Sequence, residues 1–150
     1  MFDIFLTDEV VEDLDPGAKA VYGKIQIGDF YETFVASLIS WDCVQYERHW
    51  SSAIHRILEG HERSALITSF VEPPLSRRLV WWPMYREGNR VYFQNQLLFF
   101  DRLDQPFSAE HFWGFVGQRH QRSDDSQQIS EWALPIKAME AYLRRNANRS

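Results

Sequence analysis

Between Val21 and Gly60 the apolar residues change their spacing once, and that change limits the folds open to the chain. In VYGKIQIGDFYETFVASLIS, Tyr22, Lys24 and Gln26 alternate with Gly23, Ile25 and Ile27, and Tyr31 and Thr33 alternate with Phe30, Glu32 and Phe34. A period of two predicts two strands, and Gly28-Asp29 between them suits a hairpin turn. From Ser40 onward the period lengthens. Tyr46, Trp50, Ala53, Ile54, Ile57 and Leu58 fall on one face of a helix. Asp42 with Gln45 three residues on forms a capping box, and Gly60 is a natural residue just past the helix end.

Downstream, SALITSFVE, RRLVWWPMYR and RVYFQNQLLFF are three apolar runs separated by Pro73-Pro74 and by Glu87-Gly88-Asn89, the pattern of an antiparallel meander. Pro83 inside the middle run lacks a ladder donor, which places it on an edge or at a bulge. A short helix is expected from Ser108, with Phe112, Phe115 and Val116 on one side, followed by a polar loop from Arg119 to Gln127. QISEWALP then alternates as a last strand, and Pro135 opens a closing helix whose Arg144, Arg145 and Arg149 suit its C-terminal end. The expected fold is α+β, a single domain of largely antiparallel sheet packed with three helices.

A chain of 150 residues buries enough surface to fold without a disulfide or metal. Its single cysteine, Cys43, can form no internal bridge and no zinc set, which points to a reducing compartment. His49, His55 and His61 recur every six residues, about 120° apart around a helix, so they cannot converge on one ion. Neither a signal peptide nor a membrane span is supported, and the expectation is a cytoplasmic protein with no metal, no cofactor and no membrane partner. Charge is uneven. Residues 1–72 carry 13 acids against 5 bases, net −8, and residues 73–150 carry 8 against 11, net +3. Six of those acids lie within Met1–Asp15, which reads as a solvated acidic arm and repels nucleic acid.

In VYFQNQLLFF, alternation sets Val91, Phe93, Asn95, Leu97 and Phe99 against Tyr92, Gln94, Gln96, Leu98 and Phe100. Asn95 then interrupts an otherwise apolar row, and its amide needs a backbone partner, such as a bulge provides. Tyr92, Gln94 and Gln96 belong to the wetter face, where aromatic and amide groups together suit protein recognition.

No reaction motif is present. There is no phosphate loop, GxSxG elbow or HExxH, and Cys43 and His49 point to different sides of one helix. His120 with Asp124, Asp125 and Glu131 could serve general acid–base chemistry, but such polar stretches are far more often solvated connections. The expectation is a protein that is not an enzyme. Arg77, Arg78, Arg86, Arg90, Arg119 and Arg122 with sheet aromatics offer an alternative, a single-stranded nucleic-acid platform, against which stands the net charge of −5.

The MFDIF start, ISWDCVQYERHW, SALITSFVEP, WWPMYREGNRVYFQNQLLFF and ISEWALP, in this order, resemble the immunity proteins of contact-dependent growth inhibition systems, the CdiI family. The resemblance spans residues 1–140, and its most specific parts are VYFQNQLLF and ISEW. It implies a non-enzymatic inhibitor that binds one copy of a cognate toxin, the CdiA C-terminal domain, and covers or deforms its active site. Many such toxins are nucleases, and the best-matched subgroup resembles partners of an RNA-cleaving toxin. It also implies a Whirly-like fold, which explains the pull of the nucleic-acid reading, although fold does not carry function. The toxin-contact residues expected on this footing are Glu9, Glu12, Asp13 and Asp15 of the acidic arm, Asp29 and Glu32 of the first hairpin, and Tyr92, Gln94 and Gln96.

Overall fold

The computed structural model describes residues 1–12, 14, 17–121 and 129–147. Its elements are β1 (Phe2–Val10), β2 (Ala20–Ile27), β3 (Phe30–Ser37), α1 (Cys43–Leu58), β4 (Arg63–Ser69), β5 (Arg78–Glu87), β6 (Arg90–Gln94), β7 (Gln96–Phe99), β8 (Glu131–Pro135) and α2 (Ile136–Ala147). Two 3-10 helices lie at Phe100–Arg102 and Ala109–Phe115. The α+β class and the antiparallel pairing hold. β1-β2-β3 make one sheet, and β4-β5-β6-β8, with β7 paired to β5, make the other. The helix expected from Ser108 forms as the second 3-10 helix, and of its face only Phe112 and Val116 are fully buried.

The local signals act as physical chemistry requires. Asp42 caps α1, accepting from the Gln45 N–H at 2.8 Å while the Gln45 side chain accepts from the Asp42 N–H at 2.9 Å. Gly60 follows the helix at φ +103°, a conformation an L side chain resists. Gly28 and Gly88, at φ +63° and +60°, open the two tight hairpins β2–β3 and β5–β6.

The two sheets read differently in sequence because they are covered differently. The three-stranded sheet turns one row inward, including Phe2, Ile4, Ile25, Ile27 and Ala36, and leaves the alternate row to solvent, so its strands alternate. Its inner row meets the larger sheet through Phe2 on Phe93 at 5.4 Å and Phe30 on Trp132 at 4.3 Å between ring centroids. The larger sheet is covered on both faces, the second by the chain from Phe107 to His120. Phe112 packs on His49 at 4.6 Å, Arg63 Nη1 donates to the Val116 carbonyl at 3.3 Å, and Tyr85 Oη donates to the Gly117 carbonyl at 3.2 Å. Hence Ser64–Thr68 and Trp81–Tyr85 are unbroken buried runs.

Three expectations are corrected. The acidic stretch from Met1 to Asp15 is not an arm over its first ten residues: β1 pairs Phe2, Ile4 and Leu6 with Ile27, Ile25 and Gly23. The charge count conceals a period-two apolar row. Pro83 lies in the central strand β5, not at an edge. β5 pairs with β6 as far as Met84–Phe93 and with β7 from Trp81–Gln96, three residues further along both strands, so one register runs through. Trp82 and Pro83 stay paired to β4, but on the β6–β7 side they form an unpaired interval, where the missing N–H cannot complete a ladder. The single strand expected over Val91–Phe100 is therefore divided at Asn95 with no bulge.

The outer edge of β4 is closed by side chains of α1. His49 Nε2 accepts from the Ile67 N–H at 2.7 Å, and Trp50 Nε1 donates to the Ile67 carbonyl at 2.8 Å. Accepting through Nε2 requires neutral imidazole, and burial pushes the His49 pKa from 6.5 down to about 3. The folded state therefore binds fewer protons than the unfolded one between these values. Its stability is complete above pH 6.5 and declines as pH falls toward 3. Urea denaturation should show the chain losing about 2 kcal/mol between pH 7.5 and 5, and His49→Gln should flatten that decline. An equal decline in the variant would place its origin elsewhere.

Candidate protein-binding surface

The residues singled out for contact fall into separate places. Glu9 and Glu12 are exposed where β1 ends, next to the Val10–Val21 pair; Asp13 and Asp15 lie outside the described residues. Asp29 is exposed in the β2–β3 turn, at the opposite end of the same sheet, where the Gly28 N–H donates to the Met1 carbonyl at 2.8 Å. The length of β1 separates these acids by roughly 25 Å. Glu32 shares the inner row of β3 with Phe30 and Phe34, is half-buried, and accepts from Asn95 Nδ2 at 3.3 Å.

Tyr92, Gln94 and Gln96 do not form an exposed face. Gln94 is fully buried and Asn95 is exposed, the reverse of the expected order. The cause is the covering of the larger sheet's second face by the chain leading to His120. Gln94 Nε2 donates to the His120 carbonyl at 2.9 Å and to Glu131 Oε2 at 2.8 Å, while its Oε1 accepts from Gln96 Nε2 at 2.7 Å. Glu131, opposite Gln94 across the β6–β8 ladder, is gripped by Arg119, with Nε to Oε2 at 2.8 Å and Nη2 to Oε1 at 2.5 Å. The same guanidinium bonds Glu87 at 3.1 Å and lies 3.9 Å over the Tyr92 ring. Hydrogen bonding to Arg119 holds the Glu131 carboxyl below its usual range and raises the arginine in return. The Gln94 amide is thus wholly engaged, one bond holding the His120 carbonyl onto the sheet and the others tying Gln96 and Glu131 into the same network.

The same accounting bears on other chemistry. Glu131 is committed as an ion-paired carboxylate, which removes it from proton transfer with His120; Asp124 and Asp125 lie outside the described residues. Burial raises the Cys43 thiol pKa, which weakens it as a nucleophile. Of the arginines proposed as a nucleic-acid platform, Arg119 is locked in the strap and Arg86 donates to the Ile57 and Leu58 carbonyls at the end of α1. Arg122 is outside the described residues. Among the described residues no helix is long and apolar enough to cross a membrane, and no cluster of His, Cys, Asp and Glu is assembled as a metal site.

Open to a partner, besides single exposed apolar residues such as Ile39, Val44, Leu75 and Leu97, is the outer face and margin of the three-stranded sheet. Tyr31 is 67% exposed and Val35 44%, with Thr33 between them and the acids Asp3 and Asp29 beside them. Spacing alone carries this signal, since these residues alternate with the buried row.

A family model described as the CdiI N-terminal domain matches residues 36–142 of the chain. The chain is 31% identical over 139 residues to the immunity protein CdiI of Enterobacter cloacae subsp. cloacae, covering 93% of this chain and 94% of that one. The fold matches a chain of the CdiA-CT/CdiI toxin and immunity complex from Enterobacter cloacae with a TM-score of 0.86, 28% identity and 99% of both chains covered.

The strap makes its own prediction. Gln94→Ala should lower stability by about 1–3 kcal/mol by leaving buried groups unpaired. Because the Glu131 pKa is depressed below 4.5, its contribution is complete above that pH and lost as pH falls through the folded value. Glu131→Gln should thus destabilise at pH 7 and converge on the parent chain in acid. Denaturant midpoints at the two pH values check both, and unchanged midpoints would mean the strap is held by other contacts.

Proposed function

The chain belongs to the CdiI family of immunity proteins, and we propose that it binds and neutralises the C-terminal toxin domain of a contact-dependent growth inhibition effector in the cytoplasm, one to one. The observation that carries this reading is the likeness to an immunity protein along nearly the whole length of both chains. The fold match to a chain from a toxin and immunity complex supports it. The protein acts by occupancy and not by turnover; the ion-paired Glu131 and the hydrogen-bonded His49 have structural roles that suit this, and burial disfavours the Cys43 thiol as a nucleophile.

The toxin, on this reading, is a nuclease whose active site is covered. A nuclease is basic because its substrate is polyanionic, so the net −8 of residues 1–72 steers encounter and competes with substrate for one field. Nuclease–immunity pairs reach Kd values near 10⁻¹³ M or below, to an order of magnitude. Rim charges do not supply that much. An interface of about 1,600 Å² with packed anchors, Tyr among the favoured residues, is needed as well. Of the expected contacts, Glu9, Glu12 and Asp29 remain exposed and serve as steering charges, while Gln94 is withdrawn by its burial.

Titration calorimetry against the C-terminal domain encoded immediately upstream tests the reading. One-to-one binding with nanomolar or tighter Kd is expected, with association slowed by salt and the complex retained. No heat with that domain, together with salt-sensitive binding to single-stranded oligonucleotides, would replace it with the nucleic-acid reading.

A further inference from the structure

Backbone groups along the sheet margins are satisfied unevenly. The edge of β4 is closed by His49 and Trp50 on Ile67 and by Arg56 Nε donating to the Arg63 carbonyl at 3.2 Å. The edge of β1 is closed by α2, with Arg145 donating to the Phe2 carbonyl and Tyr142 Oη to the Ile4 carbonyl at 3.5 Å. At β3 the Ser37 N–H donates to Ser69 Oγ at 3.3 Å and its carbonyl accepts from Tyr46 Oη at 2.6 Å, so Ser37 faces away from β2. The alternation of an antiparallel ladder then turns the N–H and C=O of Val35, Thr33 and Tyr31 outward too. Among the described residues nothing bonds them.

Open edges are ordinarily guarded by lysine, proline, a bulge or a covering element. Residues 30–37, FYETFVAS, contain no basic residue and no proline, and β2–β3 pair without a register shift. Tyr31 and Val35 stand exposed on the outer face, and Thr33 is exposed between them. The surroundings are net acidic, three acids against one exposed base, Lys24, which lies opposite Thr33 across the β2–β3 ladder. Asp29 precedes the strand, Glu32 lies within it, and Asp3 shares a cross-strand row with Tyr31 through Gln26. A second copy would bring these acids against their own kind, whereas a basic strand would meet opposite charge.

Resting on the immunity reading, we propose that Tyr31–Val35 is a docking strand, to which an extended basic segment of the toxin domain adds as a fourth strand of the β1-β2-β3 sheet. Main-chain bonds to Tyr31, Thr33 and Val35 give the adhesion, and their side chains select what lies across them. Thr33→Pro removes one outward donor and sets a ring in the path of the incoming strand while leaving the β2–β3 bonds in place. Tyr31→Lys places a guard of the natural kind on the same edge and alters no backbone group.

Hydrogen exchange and binding on the full chain test this together. In the free protein the amides of Tyr31, Thr33 and Val35 should exchange fast while those of Glu32 and Phe34, bonded to β2, exchange slowly. Toxin should protect all five. Thr33→Pro and Tyr31→Lys, with unchanged melting, should each weaken toxin binding roughly 10- to 100-fold. Tight binding that leaves the three amides unprotected, or both folded variants binding at full strength, overturns the docking strand and leaves the immunity reading standing. Protection of the three amides by self-association without toxin overturns it in favour of a second copy. An unmodified chain that does not bind the toxin at all overturns the immunity reading itself.

Discussion

The pairing of His49 and Trp50 with one residue, Ile67, is the constraint around which the rest of the molecule is arranged. A sheet buried on both faces has no water to satisfy its outermost strand, and an unpaired buried peptide group costs more than most single packing contacts gain. α1 answers this by presenting an acceptor and a donor side by side, which fixes both its rotation and its height along β4. With α1 so placed, Tyr46 reaches the ends of both sheets, donating to the Ser37 carbonyl and accepting from the Phe70 N–H at 3.0 Å. Two sheets and a helix are thus tied by three neighbouring side chains on one helical face.

Where structure follows from short-range pattern, it was legible from the residues. The alternation of β2 and β3, the capped helix α1 and the two glycine-led hairpins all lie where the spacing puts them. Each depends on residues within a few positions of one another. β1 was legible in principle, because Phe2, Ile4 and Leu6 keep period two, yet six acids in fifteen positions outweighed three apolar residues.

Contacts remote in sequence were not legible. Nothing in VYFQNQLLFF says that Arg119 and the His120 carbonyl will come to lie over it, so Gln94 and Asn95 exchange their expected environments. Pro83 is a breaker whose place the residues around it do not reveal, because its cost is met by a gap in the neighbouring strand and not by a bulge in its own. The candidate site suffered for the same reason. Amides that suit recognition also suit a buried network, and only the fold decides between them. The exposed acids needed less from the fold, since a charge without a partner goes to water wherever the chain permits.

The strand β3 separates two duties by parity. Phe30, Phe34 and Ala36 turn toward the core and Tyr31, Thr33 and Val35 turn away, with no side chain serving both sides. Substitutions in the outward set leave the packed set untouched, so the outer surface of this strand can drift through many intermediates that all remain folded. Such a strand offers an evolutionary path on which an outer surface is rewritten residue by residue while the scaffold is inherited intact.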